Sequence, residues 1–239
     1  LNFEKKFMIQ NQISIKSNGN TDDSFFKIIN ESFYRAIIFK SNIDNWILDI
    51  EGLSGKKYRH LINNLINNFK NPKYLEIGTW LGSTACSAVF KNKLKITCID
   101  NWSESFSGVV DPEEKFFENI KRSITNQSNF KFIKKDFREI NYKKIGKYNI
   151  YFFDGPHHLQ DHFDALSYVF PSLEKKFIFI VDDWNWNQVK SGTFKAIKYL
   201  KFNIISYLEI ETNLKNGKGY IQGKKSDWHN GCCLFVIEK

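Results

Sequence analysis

Residues 73–84 read KYLEIGTWLGST. A short apolar run, KYLEI, ends at Gly78, and a second glycine, Gly82, precedes STACSAVFK, a stretch with helical character. Glycine lets a backbone turn tightly and approach a ligand. Ser83 or Thr84 can cap the helix that follows, whose free N–H groups favour an anion. The stretch is a strand, a ligand-binding turn and a helix. A second apolar run, KITCI, ends at Asp100, where an acid suits the two hydroxyls of a ribose. A nicotinamide-binding turn would read Gly-x-Gly-x-x-Gly. This one reads Gly-x-x-x-Gly, and Glu76 stands just before it. That carboxylate would repel a pyrophosphate and suits a cationic amine.

Outward from this unit the same rhythm continues. PEEKFFENIKRSI reads as a helix with Pro112 early and acids in its first turn. FKFIKKD and YNIYFFD read as strands, HHLQDHFDALSYVF as a helix, KFIFIVDD as a strand and QVKSGTFKAIKYL as a helix. Alternation of this kind implies a parallel sheet covered on both faces. The closing runs, FNIISYLEI and CCLFVIE, have only a polar loop between them. They should pair as a hairpin, leaving one strand antiparallel. The expectation is an α/β, doubly wound sheet of seven strands, six parallel and the last antiparallel, over residues 71–239. Before it, residues 22–70 carry two helical patterns joined by DIEGLSG and are expected to form an N-terminal helical cap. Residues 1–21 are polar and aperiodic and read as a flexible arm. The chain starts at Leu1 rather than Met, which fits a natural start further upstream.

Composition narrows the class. Hydrophobic residues make up 42% of 239 residues, enough for a large core and too many for disorder. The net charge of +9 comes from lysines spread along the chain, with no arginine-rich run. It reads as a solvated surface, and nucleic acid is disfavoured as a partner. Cys86 and Cys98 lie in apolar stretches and read as core residues, while Cys232 and Cys233 are adjacent, poor geometry for a structural disulfide. No signal-like segment or long apolar span occurs, so no membrane partner is expected and the cytoplasm is the default compartment. A homo-oligomer is compatible with all of this.

Acids stand at or near successive strand ends: Glu76, Asp100, Asp136, Asp154, and the pair Asp182 and Asp183. In an open α/β sheet ligands bind beyond those ends. On these residues the chain resembles the class I S-adenosylmethionine-dependent methyltransferases, in YLEIGTWLGST…ITCID and in strand order from residue 73 to the closing hairpin. The resemblance implies a Rossmann-like methyltransferase sheet and S-adenosylmethionine as cofactor. Gly78 and Gly82 would line its methionine part, with Thr79 and Ser83 in the same turn. Glu76 would sit beneath, near the amino group, and Asp100 would bind the ribose. Asp136 and Phe137 match the adenine position, and Trp80 and Trp102 would flank the pocket.

Within the family the pattern Asp154…Asp182-Asp183 resembles the metal-dependent small-molecule O-methyltransferases of the catechol and macrolide-sugar types. That resemblance implies Mg2+ or another divalent cation held by Asp154, Asp182 and Asp183, and a small hydroxylated acceptor, a sugar or glycan-linked sugar first. His157, in FFDGPHHLQDH, matches the base position. A metal can lower a hydroxyl pKa and an imidazole can take the proton. Neighbours in a regular strand face opposite sides, so Asp182 and Asp183 can share a metal only if the chain turns there. His158 and His162 are spaced for zinc but lack an obvious third ligand, and His162 is expected on a helix surface or at an interface. Trp184, Trp186 and Trp228 are candidates for a stacking platform, and Lys56, Arg59 and His60 for an anion contact. A nucleic-acid or N-directed methyltransferase, and an inactive methyltransferase-fold subunit, are the alternative readings.

Overall fold

The strand–helix rhythm from residue 73 is realised element by element in the computed structural model, which describes residues 12–104, 111–125, 127–213 and 222–239. In chain order the elements are β1 (Gln12–Gly19), α1 (Ser24–Ile37), α2 (Asn45–Leu48), α3 (Lys56–Asn68), β2 (Lys73–Ile77), α4 (Ser83–Val89), β3 (Lys95–Asp100), α5 (Pro112–Ser123), β4 (Asn129–Lys134), β5 (Tyr148–Phe153), α6 (Leu159–Ser167), β6 (Leu173–Asp182), α7 (Asn187–Tyr199), β7 (Asn203–Asn213) and β8 (Cys232–Glu238). They form one sheet in the order β1-β7-β8-β6-β5-β2-β3-β4. The pairs among β2 to β6 are parallel, and β8 lies antiparallel between β6 and β7.

Alternate strand residues take opposite faces. Tyr74, Cys98, Phe152 and Ile180 pack with α1, α3, α4 and α5, while Leu75, Ile99, Phe153 and Val181 pack with α6 and α7. Side-chain caps mark the starts of α1 and α5, whereas at α4 the cap position is Gly82, not Ser83 or Thr84, and no side chain caps it. The Asp23 carboxylate accepts from the Phe25 N–H at 2.9 Å, and Asp111, just before Pro112, accepts from the Glu114 N–H at 2.9 Å.

One expectation is corrected. Part of the 1–21 arm, residues 12–19, is an eighth strand paired antiparallel with β7 along its whole length. Its apolar residues Ile13 and Ile15 stay 38% and 46% exposed. Main-chain pairing, rather than a buried face, therefore holds it, and no hydrophobic period announced it. Residues 22–70 pack as a helical layer on the sheet. Phe26, Ile29, Phe33, Tyr58, Leu61 and Leu65 share one core with the strands. Within this layer Arg59 is fully buried. Its guanidinium donates to the carbonyls of Ile47, Leu48 and Ile50 at 3.0, 3.1 and 2.7 Å and to that of Ser54. Arg59 shapes the 47–54 segment, and among the described residues no acidic side chain pairs with it. His60 is likewise buried and paired with Ser41 at 2.7 Å.

Candidate active site

A cavity of about 430 Å³ opens at the carboxyl ends of β2, β3, β5 and β6. Of the residues singled out in the sequence, Gly78, Thr79, Trp80, Ser83, Asp100, Trp102, Asp136, Phe137, Asp154, His157 and Asp183 line it. Glu76, Gly82 and Asp182 stand outside that lining.

The glycine turn is shaped by what surrounds it. Gly78 and Gly82 have φ of +84° and +83°, a region that L side chains rarely adopt. Gly82 sits just before α4, so the free N–H groups of that short helix open beside the turn. Asp100 ties the two loops of this end together. Its Oδ2 accepts from the Trp80 N–H at 2.8 Å and its Oδ1 from the Trp102 N–H at 2.7 Å. The Trp102 indole N–H donates to the Trp80 carbonyl at 3.1 Å. Both tryptophans hold positive φ, +42° and +50°, which is costly for bulky residues without such anchoring. Each Asp100 oxygen keeps a second lone-pair direction for a ligand.

Glu76 lies fully buried behind the turn. The Tyr74 hydroxyl donates to its Oε2 at 2.6 Å and the Thr84 hydroxyl to its Oε1 at 2.9 Å, so it joins β2 to α4. Burial, which outweighs these two donors, pushes its pKa up to about 8.

The far end of the cavity is acidic. Ligand atoms of Asp154, His157 and Asp183 all lie within 4.8 Å of one another. His157 Nε2 is 2.7 Å from Asp183 Oδ2 and 3.7 Å from Asp154 Oδ1. Burial works against a charged imidazole, but the two carboxylates prevail and raise His157 to about 10. Burial raises Asp154, helped by the neighbouring Asp183 charge. Burial also pushes Asp183 up, but His157 and Asn230 overcome it and hold the group below the ordinary range.

Asp182 closes β6 in register with Cys232 and continues the face of Ile178 and Ile180 toward Tyr58. Asp183 follows with φ +51°, and this left-handed turn brings it round to the cavity. His157, rather than Asp182, thus completes the ligand-spaced group with Asp154 and Asp183. Asp182 Oδ1 is nonetheless buried without a hydrogen-bond partner. Its carboxyl is held well above the usual range by burial and then by Asp154 and Asp183. Three acids converge here on the His157 imidazole, with His229 Nε2 4.0 Å from Asp183 Oδ1 on the other side, and a divalent cation with oxygen ligands fits that excess of acid.

Other candidates fall elsewhere. His162 is buried, not on a helix surface, with neither ring nitrogen paired. Burial, reinforced by His157, lowers its pKa to about 3. Trp184 and Trp228 are core residues. Trp184 donates to Glu209 at 2.6 Å, and Trp228 packs on Phe33 and Tyr58. Of the three candidate stacking tryptophans, Trp186 lines the cavity, edge-on to His157 at 4.9 Å. His158 also lines it, and its N–H donates to Asp161 at 2.7 Å at the start of α6. Asn230, which sequence reasoning passed over within DWHNG, reaches Asp183. Nothing local marked it.

Residues 75–184 match the family model described as a methyltransferase domain. Over that stretch, a little under half of its length, the chain is similar to a methyltransferase domain. Its fold is similar to that of a protein from Corynebacterium glutamicum (TM-score 0.56, 9% identity, 87% of this chain and 96% of that one). It is also similar to a candidate RNA methyltransferase from Pyrococcus horikoshii (0.52, 13%, 89% and 98%). A third similar structure is a candidate S-adenosylmethionine-dependent methyltransferase from Streptococcus mutans (0.52, 12%, 76% and 48%). The chain spans about half the length of several structures it matches, 52%, 48% and 49%. No curated protein sequence matches it. Among the described residues no helix is long and apolar enough to cross a membrane.

Proposed function

We propose that the protein is an S-adenosylmethionine-dependent O-methyltransferase acting on a hydroxyl of a small acceptor, a sugar or glycan-linked sugar first. The observation that carries this reading is the Asp154–His157–Asp183 group in the same cavity as the Gly78 turn and Asp100. When bound, S-adenosylmethionine would supply the sulfonium methyl, and a divalent cation, which Asp154 and Asp183 would hold, would lower the pKa of the acceptor hydroxyl. Asp100 orients the ribose, while Asp136 and Phe137 border the adenine. His157 receives the hydroxyl proton at Nε2. Asp154 and Asp183 keep the imidazole protonated on their own; a cation held between them would offset their charge and leave Nε2 able to take that proton. Trp186 offers a ring face to the acceptor.

The charge of the cavity favours this over a nucleic-acid acceptor. Among the described residues five acids line it (Asp100, Glu104, Asp136, Asp154 and Asp183) against Lys135 and the imidazole of His157. Such a wall repels a phosphate backbone despite the overall charge of +9.

The test is His157→Ala on an acceptor found by screening hydroxylated small molecules with S-adenosylmethionine and Mg2+. Turnover should fall by about 10²–10⁴, with cofactor affinity measured by calorimetry unchanged. Turnover within tenfold of the unsubstituted protein removes His157 as base. Failure to bind S-adenosylmethionine with or without Mg2+ removes the methyltransferase activity itself.

A further inference from the structure

Asp183 presents its two oxygens to different surroundings. Oδ2 lies 2.7 Å from His157 Nε2 on the cavity side. Oδ1 accepts from the side-chain amide of Asn230 at 2.5 Å. Asp183 and Asn230 are each 4% exposed, and Asn230 is absent from the cavity lining. The amide therefore touches the carboxylate from behind.

The contact is built into the fold. The β6–β8 ladder ends at the pair Asp182 and Cys232, yet main-chain bonds continue past it. The Trp184 N–H donates to the Gly231 carbonyl at 3.4 Å and the Asn185 N–H to the Asn230 carbonyl at 3.0 Å. The Asn185 side chain is bonded to Thr212, and the Thr212 hydroxyl donates to the His229 carbonyl at 2.9 Å. His229, whose Nδ1 accepts from the Gly223 N–H at 3.0 Å, holds its Nε2 4.0 Å from the same Asp183 oxygen. The left-handed backbone at Asp183 is thus clamped from the β8 side.

We infer that Asn230 is a positioning residue, which occupies Asp183 Oδ1 so that Oδ2 alone is offered to a divalent cation. A free carboxylate has two equivalent oxygens and can rotate or chelate through both. A buried neutral donor on one oxygen removes that freedom without adding charge. Partners of this kind orient metal ligands and influence affinity through them. The inference rests on reading Asp154 and Asp183 as a cation site.

The test is a calorimetric titration of the full chain with Mn2+, then with S-adenosylmethionine, for the unsubstituted protein and Asn230→Ala. Mn2+ affinity should fall by about 10–100-fold. Cofactor affinity should stay within twofold, because the glycine turn and Asp100 lie on other strands. If Asn230→Ala does not fold, Asn230→Ser serves, since it keeps a small polar side chain at the turn that is too short to reach Asp183; the same loss is expected. Unchanged Mn2+ affinity overturns the inference. So does an equal fall in both affinities with a lowered melting temperature, which marks a structural role. If the unsubstituted protein binds no Mn2+, the cation site itself is overturned, and the inference with it.

Discussion

Gly78 and Asp154 touch across two strands. A Cβ on Gly78 would lie 1.8 Å from the Asp154 carbonyl oxygen, and the Asp154 N–H donates to the Ile77 carbonyl at 2.9 Å. The turn that approaches the cofactor and the strand end that carries the first acid are therefore one packed unit. Gly78→Ala combines a left-handed backbone with this clash and should cost about 3 kcal/mol or more. Thermal unfolding should show a lowered Tm, and any folded fraction should lose S-adenosylmethionine binding. A fully stable Gly78→Ala protein with intact cofactor affinity would contradict the packing.

Cation binding should release protons. Without a cation, Asp154 and Asp182 are raised, chiefly by burial, and His157 is raised to about 10 by the flanking carboxylates. Each favours its protonated form more than it would in water. A cation favours the deprotonated forms, so affinity should increase with pH. Titration with Mg2+ at pH 7 in buffers of different ionisation enthalpy should show release of roughly one proton or more. Heats that do not depend on the buffer would sink this expectation.

Glu76 should make the fold less stable at alkaline pH. Its carboxyl is raised by burial from an ordinary 4.5 to about 8 in the folded chain. The folded state therefore holds a proton that the unfolded state gives up first. The associated stability is present below about 4.5 and is lost as pH rises toward 8. Glu76→Gln cannot ionise; its amide oxygen can accept from one of the two hydroxyls of Tyr74 and Thr84 and its amide N–H can donate to the other. Denaturant unfolding should show the variant losing less stability between pH 5 and 8, by on the order of a few kcal/mol. Parallel pH profiles for the two proteins would refute the assignment.

Trp186 should act on the acceptor rather than on the cofactor. It lines the cavity beside His157, away from the turn at Gly78. Trp186→Ala should raise the acceptor KM by about tenfold, the effect of losing roughly 1.4 kcal/mol of ring contact. The KM for S-adenosylmethionine should change less than twofold. An equal rise in both would show that Trp186 supports the whole site.

Local signals made much of this protein legible in its sequence. The run KYLEIGTWLGST, the acid at Asp100 and the alternating strands and helices are short-range features. Each carries its own periodicity or turn chemistry, and together they dictate the doubly wound sheet and most of the cavity wall. What needed the tertiary structure was set by contacts between distant segments. The strand at 12–19 is held by pairing with residues 206–213, which no local hydrophobic period records. Period-two alternation separates Asp182 from Asp183, but the turn at φ +51° that aims Asp183 into the cavity is clamped by residues 230 and 231. His162 is buried because α6 and α7 close tightly at Gly192, where a Cβ would lie 2.2 Å from the Leu159 carbonyl oxygen. Trp184 and Trp228 look like surface aromatics in polar loops, yet both are core residues because the loops fold inward over them. Sequence patterns specify which face a residue takes within its own element. Which elements meet that face is decided only when the chain is packed.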